Sequence, residues 1–192
     1  IQDKYLYIKS IPFLCNNTMT VKMTADYDYF NDELTRCIRS FVESNTEGCG
    51  WVVKAPFTTN CQHIKYCSSV ADIQKALVLS RNRFYSKIPY MMVQARMKNG
   101  CEKKVVCFNR KALYVSSCSR KASNVRKMSH DSASLLKFAE FAVNNLEINC
   151  KEAIVDGLIR VDIFENIMGK LVVNEFESLE AVYYSKGDKN YC

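Results

Sequence analysis

The stretch richest in chemistry is Arg160-Val161-Asp162-Ile163-Phe164, followed across a turn at Asn166 to Gly169 by Val172-Val173-Asn174-Glu175-Phe176-Glu177. In an extended strand, side chains two apart share a face. Arg160 and Asp162 therefore point one way, and Glu175 and Glu177 share a face on the returning strand. Paired, the two strands present three carboxylates and one guanidinium together. Oxygen ligands of this kind hold Mg²⁺ against the phosphates of a nucleotide, because the ion keeps several waters and takes only a few protein carboxylates. The guanidinium could neutralise charge on a phosphoryl group in transfer. A ladder of solvated charges is the plain alternative, and the apolar Val161, Ile163, Val173 and Phe176 indicate a buried opposite face without deciding between the two.

The surrounding chain narrows the chemistry further. His63 and His130 lie far apart, and neither stands beside a Ser or Cys that reads as a nucleophile with its base, which disfavours a triad-type hydrolase. The ten cysteines contain no CxxC pair and no Cys/His cluster at zinc spacing. Scattered through apolar stretches such as Val105-Val106-Cys107-Phe108, they read as small buried hydrophobes in a reducing, cytoplasmic setting. No apolar run approaches the ~18 residues of a membrane helix, so neither a signal peptide nor a membrane partner is expected. The net charge of +7 is concentrated: residues 96 to 127 carry ten Lys/Arg against one acidic residue. Such a block can recruit an anionic substrate, polyphosphate or nucleic acid, or it can be a solvated face.

The elements that must position these groups follow from periodicity. With 48% hydrophobic residues, 6 Gly and 3 Pro in 192 residues, the chain is an ordered globular one, sized for one large domain or two small lobes. Helical spacing through Phe30, Leu34, Cys37, Ile38 and Phe41 predicts a helix from about Tyr29 to Glu43, capped by Asp26 or Asp28. Further helices are expected over 69–86 and 132–145, capped by Ser68 or Ser69 and by Asp131 or Ser132. Strands are expected at 51–54, 90–94, 103–109, 112–117, 158–164 and 170–176. The mixture predicts an α+β fold with antiparallel sheets covered on one side by helices.

Taken in order along the chain, these motifs resemble the ATP-grasp superfamily, most closely the D-alanine:D-alanine ligases. Arg-x-Asp, a hairpin turn and then Asn-Glu-x-Glu is similar to the family's metal-binding end. Trp51-Val52-Val53-Lys54-Ala55-Pro56 is similar to its strand ending in a phosphate-contacting lysine, Tyr90 to Met97 resembles its hinge strand, and Asp3-Lys4 resembles the pair that opens the grasp domain. The resemblance implies two lobes, about 1–93 and 94–192, with a nucleotide held between them. It implies ATP and Mg²⁺ as cofactors: Lys4 and Lys54 on phosphate, Thr58, Thr59 and Asn60 in the loop over the phosphates, Gln94, Ala95 and Met97 at adenine, and Glu102 at ribose. Asp162, Glu175 and Glu177 would carry the metal, with Arg160 near the transferred phosphate.

The implied activity is a carboxylate-amine ligase that activates a carboxylate-bearing substrate as an acyl phosphate. A non-catalytic nucleotide- or RNA-binding module and a kinase of a small phosphorylated alcohol are the alternatives. The sequence departs from the family in three ways. The stretch 57–62 has no glycine where backbone approaches phosphate, Glu177 replaces the usual Asn, and the family's separate N-terminal domain is not in this chain.

Overall fold

The structure, a computed structural model, describes residues 4–24, 27–45, 49–56, 64–84, 89–97, 102–117, 130–151, 156–166 and 169–177. It divides into two units, one of Ile1–Asn16 with Asn99–Cys192 and the other of Asn17–Lys98. This differs from the expected division near residue 93, because the first helix packs with the second half of the chain rather than with the residues that follow it.

In the unit of Asn17–Lys98, four antiparallel strands lie in the order β1-β4-β2-β3: β1 is Thr18–Lys22, β2 Trp51–Lys54, β3 Lys65–Cys67 and β4 Tyr90–Ala95. Helices α2 (Asp32–Glu43) and α3 (Val70–Phe84) supply Leu34, Ile38, Ile73 and Leu77 to a core shared with Val53, Met91 and Val93. Helix α2 starts later than its apolar spacing suggests. Asn31, not Asp26 or Asp28, is the cap: its Oδ1 accepts the Leu34 N–H at 2.7 Å. Phe30 is thereby left outside the helix and exposed, and Cys37 also faces solvent. Ser69 caps α3, its Oγ accepting the Asp72 N–H at 3.1 Å. Gly50 enters β2 with φ +119°, and a Cβ there would lie 2.6 Å from the Cys67 carbonyl oxygen, so only glycine lets β2 and β3 pair this closely.

In the other unit, the antiparallel order is β6-β5-β7-β8, with β5 Lys103–Phe108, β6 Lys111–Ser117, β7 Leu158–Glu165 and β8 Leu171–Glu177. Both expected hairpins are present. Asn109 and Arg110 turn β5 into β6 with φ 45° and 69°, the two left-handed positions of a tight two-residue turn. Helix α4 (Ser132–Asn149), capped by Asp131, buries Leu135, Ala139, Ala142, Val143 and Leu146 and packs on β5 and β6. Helix α1 (Lys4–Ser10) sets the fully buried Tyr7 ring edge-on to Phe176 of β8, with centroids 5.1 Å apart. Cys15, Cys67, Cys107 and Cys150 are buried free thiols, and burial pushes Cys67 up to about 11 and Cys107 to about 12. No helix among the described residues is long and apolar enough to cross a membrane.

Candidate active site

Strand β7 is the spine of the site because it is paired on both sides. Its alternate residues Ile159, Val161 and Ile163 are apolar and buried, which leaves Arg160 and Asp162 on the other face. Register then decides what meets them: Lys104 of β5 and Glu175 of β8 flank Asp162, and Glu177 lies across from Arg160. A β-bulge makes this possible. Asp162 pairs with Glu175 but Ile163 pairs with Val173, so Asn174 is an extra residue on β8. In a regular strand Val173 would share a face with Glu175 and Glu177. The bulge changes the phase, sending Val173 into the core while both glutamates join Arg160 and Asp162.

Around this face every described charge finds an opposite one. Asp162, with a side chain only 2% exposed, accepts Arg160 Nε at 2.6 Å and Nη2 at 2.9 Å and, on its other side, Lys104 Nζ at 2.9 Å. Lys104 also approaches Glu102 at 3.6 Å, and Arg160 Nη2 approaches Glu177 at 3.6 Å. Lys4 of α1 forms an ion pair with Glu175. Burial is the largest single influence on Lys104 and Arg160 and opposes their positive charge, but the surrounding carboxylates, Asp162 foremost among them, together outweigh it, and both pKa values stand above their ordinary ones. Glu102 is raised by burial and by the Asp162 charge. Glu177 is pushed up to about 7, first by burial and then by the charge of Glu175 and a hydrogen bond with its carboxyl group.

These arrangements test the expected metal set. Among the described residues no group of three or more His, Cys, Asp or Glu is placed to hold a metal ion. The reason is local: Asp162 is committed to two cations and does not join Glu175 and Glu177 as a third ligand. The two glutamates do fit a divalent cation. They share one face of β8, the Glu177 carboxyl group is hydrogen-bonded to that of Glu175, and Mg²⁺ needs only one or two protein carboxylates besides phosphate.

Of the other predicted site residues, Lys4 and Glu102 join this cluster, and Glu102 Oε1 accepts Asn174 Nδ2 at 2.9 Å. Lys54, Gln94, Ala95 and Met97 belong to the unit of Asn17–Lys98. Lys54 is buried at the end of β2, opposite Met92. Gln94 is buried and donates through Nε2 to Thr18 Oγ1 at 3.1 Å. The Ala95 N–H already donates to the Asn17 carbonyl at 3.1 Å, and the Met97 carbonyl lies 3.9 Å from Cys49 Sγ. Thr58, Thr59 and Asn60 lie outside the described residues, as do Asp3 and the basic Arg120, Lys121, Arg126 and Lys127. Elsewhere in the basic block, Arg110 pairs with Glu147 at 2.6 Å and Asp156 at 3.5 Å.

Lys104, Asn174 and Tyr7 escaped the sequence reading. Lys104 counted there only as one cation of a basic block. The signal that singles it out is its position two residues after Glu102, at the start of a strand whose register sets it beside Asp162. Tyr7 donates its hydroxyl to the Asn174 carbonyl at 3.4 Å and so supports the bulge.

No family model matches the sequence, and neither does any curated protein. Solved structures do match the fold. A D-alanine-D-alanine ligase from Coxiella burnetii superposes with TM-score 0.66 at 16% identity over 93% of this chain and 48% of its own. The D-cycloserine synthetase DcsG gives 0.66 at 15% identity over 92% and 61%. A D-alanine-D-alanine ligase from Bacillus anthracis complexed with ATP gives 0.59 at 17% identity over 93% and 53%. The chain has the ATP-grasp fold. It spans about half the length of the Coxiella burnetii ligase. The two four-stranded antiparallel sheets with their helices are the α+β architecture expected from the sequence.

Proposed function

We propose that this chain is an ATP- and Mg²⁺-dependent ligase that activates a substrate carboxylate for attack by an amine. The observation that carries the reading is the charged face of β5, β7 and β8. Three cations and four carboxylates are packed there with little solvent, on a fold whose solved relatives include a ligase complexed with ATP. In the first step a carboxylate oxygen of the substrate attacks the γ-phosphorus, the bond to the bridging oxygen breaks, and ADP leaves with that electron pair. In the second, the amine nitrogen attacks the acyl carbon, phosphate departs, and the nitrogen loses a proton.

Arg160 is oriented by its two-pronged contact with Asp162 and would stabilise the charge that builds on the equatorial phosphoryl oxygens. Glu175 and Glu177 would hold Mg²⁺, which when bound supplies charge neutralisation to the phosphate oxygens. Asp162 acts through Arg160 and Lys104 and is a positioning residue. Lys4, which here pairs with Glu175, would contact phosphate, and Glu102 would accept a hydrogen bond from ribose. The phosphate and adenine roles of Lys54, Thr58, Thr59, Asn60, Gln94, Ala95 and Met97 rest on the family resemblance. The class of partner is a carboxylate-bearing anion with an amine.

The test is ADP release by the full chain with ATP and Mg²⁺ over a panel of acids and amines. Release that requires one acid and is completed by one amine is expected. ATP binding with no release stimulated by any pair, but with phosphate transferred to an alcohol, would replace the ligase reading with a kinase.

A further inference from the structure

Lys104 stands at the centre of the site and contacts no part of the nucleotide or substrate in the reading above. Its ammonium is the link between two groups that sequence and strand order keep apart: Asp162 Oδ2 at 2.9 Å on β7 and Glu102 Oε2 at 3.6 Å, two residues before it in the chain. Its side chain is 16% exposed, so these contacts are only partly screened by solvent. Glu102 is then held from its other oxygen by Asn174 Nδ2 at 2.9 Å, the bulge residue of β8. An Asn–Glu–Lys–Asp–Arg relay thus runs across three strands, and Lys104 is its only cation that reaches Glu102 among the described residues.

We infer that Lys104 is a positioning residue that fixes the Glu102 carboxylate against Asp162 and so sets which nucleotide sugars the site accepts. Two partly buried carboxylates repel and turn apart unless a cation lies between them. With Lys104 in place, Glu102 is held on one oxygen by the Asn174 hydrogen bond and drawn on the other by the Lys104 ammonium at 3.6 Å, and its remaining lone pairs keep one direction. A ligand presenting vicinal hydroxyl groups donates to such a carboxylate, and one lacking them leaves it unpaired, which costs affinity. Without Lys104 the carboxylate is free to swing away, and hydroxylated and deoxygenated sugars are bound alike. The inference rests on the proposed nucleotide binding and on the ribose contact proposed there for Glu102, and it adds the residue that aims that carboxylate, Lys104.

Calorimetry of the full chain with ATP and with 2′,3′-dideoxy-ATP, both with Mg²⁺, tests it. The unaltered protein should prefer ATP by about tenfold, the worth of hydrogen bonds to a charged group. Lys104→Met, and the milder Lys104→Gln, should bring that ratio to about one by weakening ATP alone. Lys104→Arg should retain most of it. Whichever of the Met and Gln variants folds decides the matter. A ratio unchanged in it, or both nucleotides weakened by the same factor, would reduce Lys104 to a structural cation and overturn the inference. An unaltered protein that binds ATP and the dideoxy analogue equally also overturns it while leaving nucleotide binding intact, whereas one that binds neither removes the nucleotide reading itself.

Discussion

The central strands of the two sheets solve the same packing problem in opposite ways. Strand β4 is flanked by β1 and β2 and fills its place with Met91, Met92 and Val93, adding one buried amide, Gln94. Strand β7 is flanked by β5 and β8 and is just as enclosed, yet every second residue near its middle is charged. An apolar strand is held by burial, which any residue of similar shape supplies. The charged face of β7 is held by pairs: each ion is tolerated because a specific partner stands across the ladder, and removing one partner strands the other. Paired ions have fixed directions, whereas packed methionines do not, which is why the proposed chemistry falls on β7 rather than β4.

Breaking the comparison requires one substitution in each strand. Asp162→Asn leaves Arg160 and Lys104 facing a neutral amide and should lower the unfolding free energy by about 3–5 kcal/mol in a urea titration. Gln94→Met, which loses one hydrogen bond to Thr18 but conserves volume, should cost about 1 kcal/mol or less. Equal losses would mean that the charged face is as replaceable as the apolar one.

A smaller and sharper effect comes from pH. Glu177 is raised in the folded protein from an ordinary 4.5 to about 7, so between those values the folded chain holds a proton that the unfolded chain has released. Its contribution to stability is therefore fully present below pH 4.5 and is lost as pH rises through about 7, on the order of 2 kcal/mol once solvent screening of this partly exposed side chain is allowed for. Glu177→Gln should flatten that part of the stability curve. Mg²⁺ should restore stability above pH 7, where the ionised Glu177 otherwise lacks a sufficient partner for its charge. A pH 5–8 profile that is identical for both proteins would contradict the crowded-pair account.

Much of this was legible in the residues. Helical spacing located α2, α3 and α4, and the two hairpins of β5–β6 and β7–β8 followed from alternation and turn residues. What failed has physical causes. Strand β1 sits at a sheet edge with Val21 as its one fully buried residue, so it shows no apolar alternation, and β3 is three residues long. The bulge at Asn174 was hidden because a period of two carries no sign of an inserted residue. It was nevertheless betrayed by the conflict between an apolar Val173 and a charged Glu175 at the same parity. Lys104 was missed for a different reason: β5 and β7 are neighbours through a long connection, and their register is not written in either strand alone.

The central claim is that Glu175 and Glu177 form the metal-binding end of a nucleotide site. Isothermal calorimetry of ATP against the full chain and Glu175→Gln, each with Mg²⁺ in excess over ATP or with chelator, tests it most directly. The account predicts that the unaltered protein binds ATP at least about tenfold more tightly with Mg²⁺ than without it, and that Glu175→Gln loses most of that difference. Equal ATP affinity with metal and with chelator in the unaltered protein, or an undiminished metal dependence in Glu175→Gln, would contradict it.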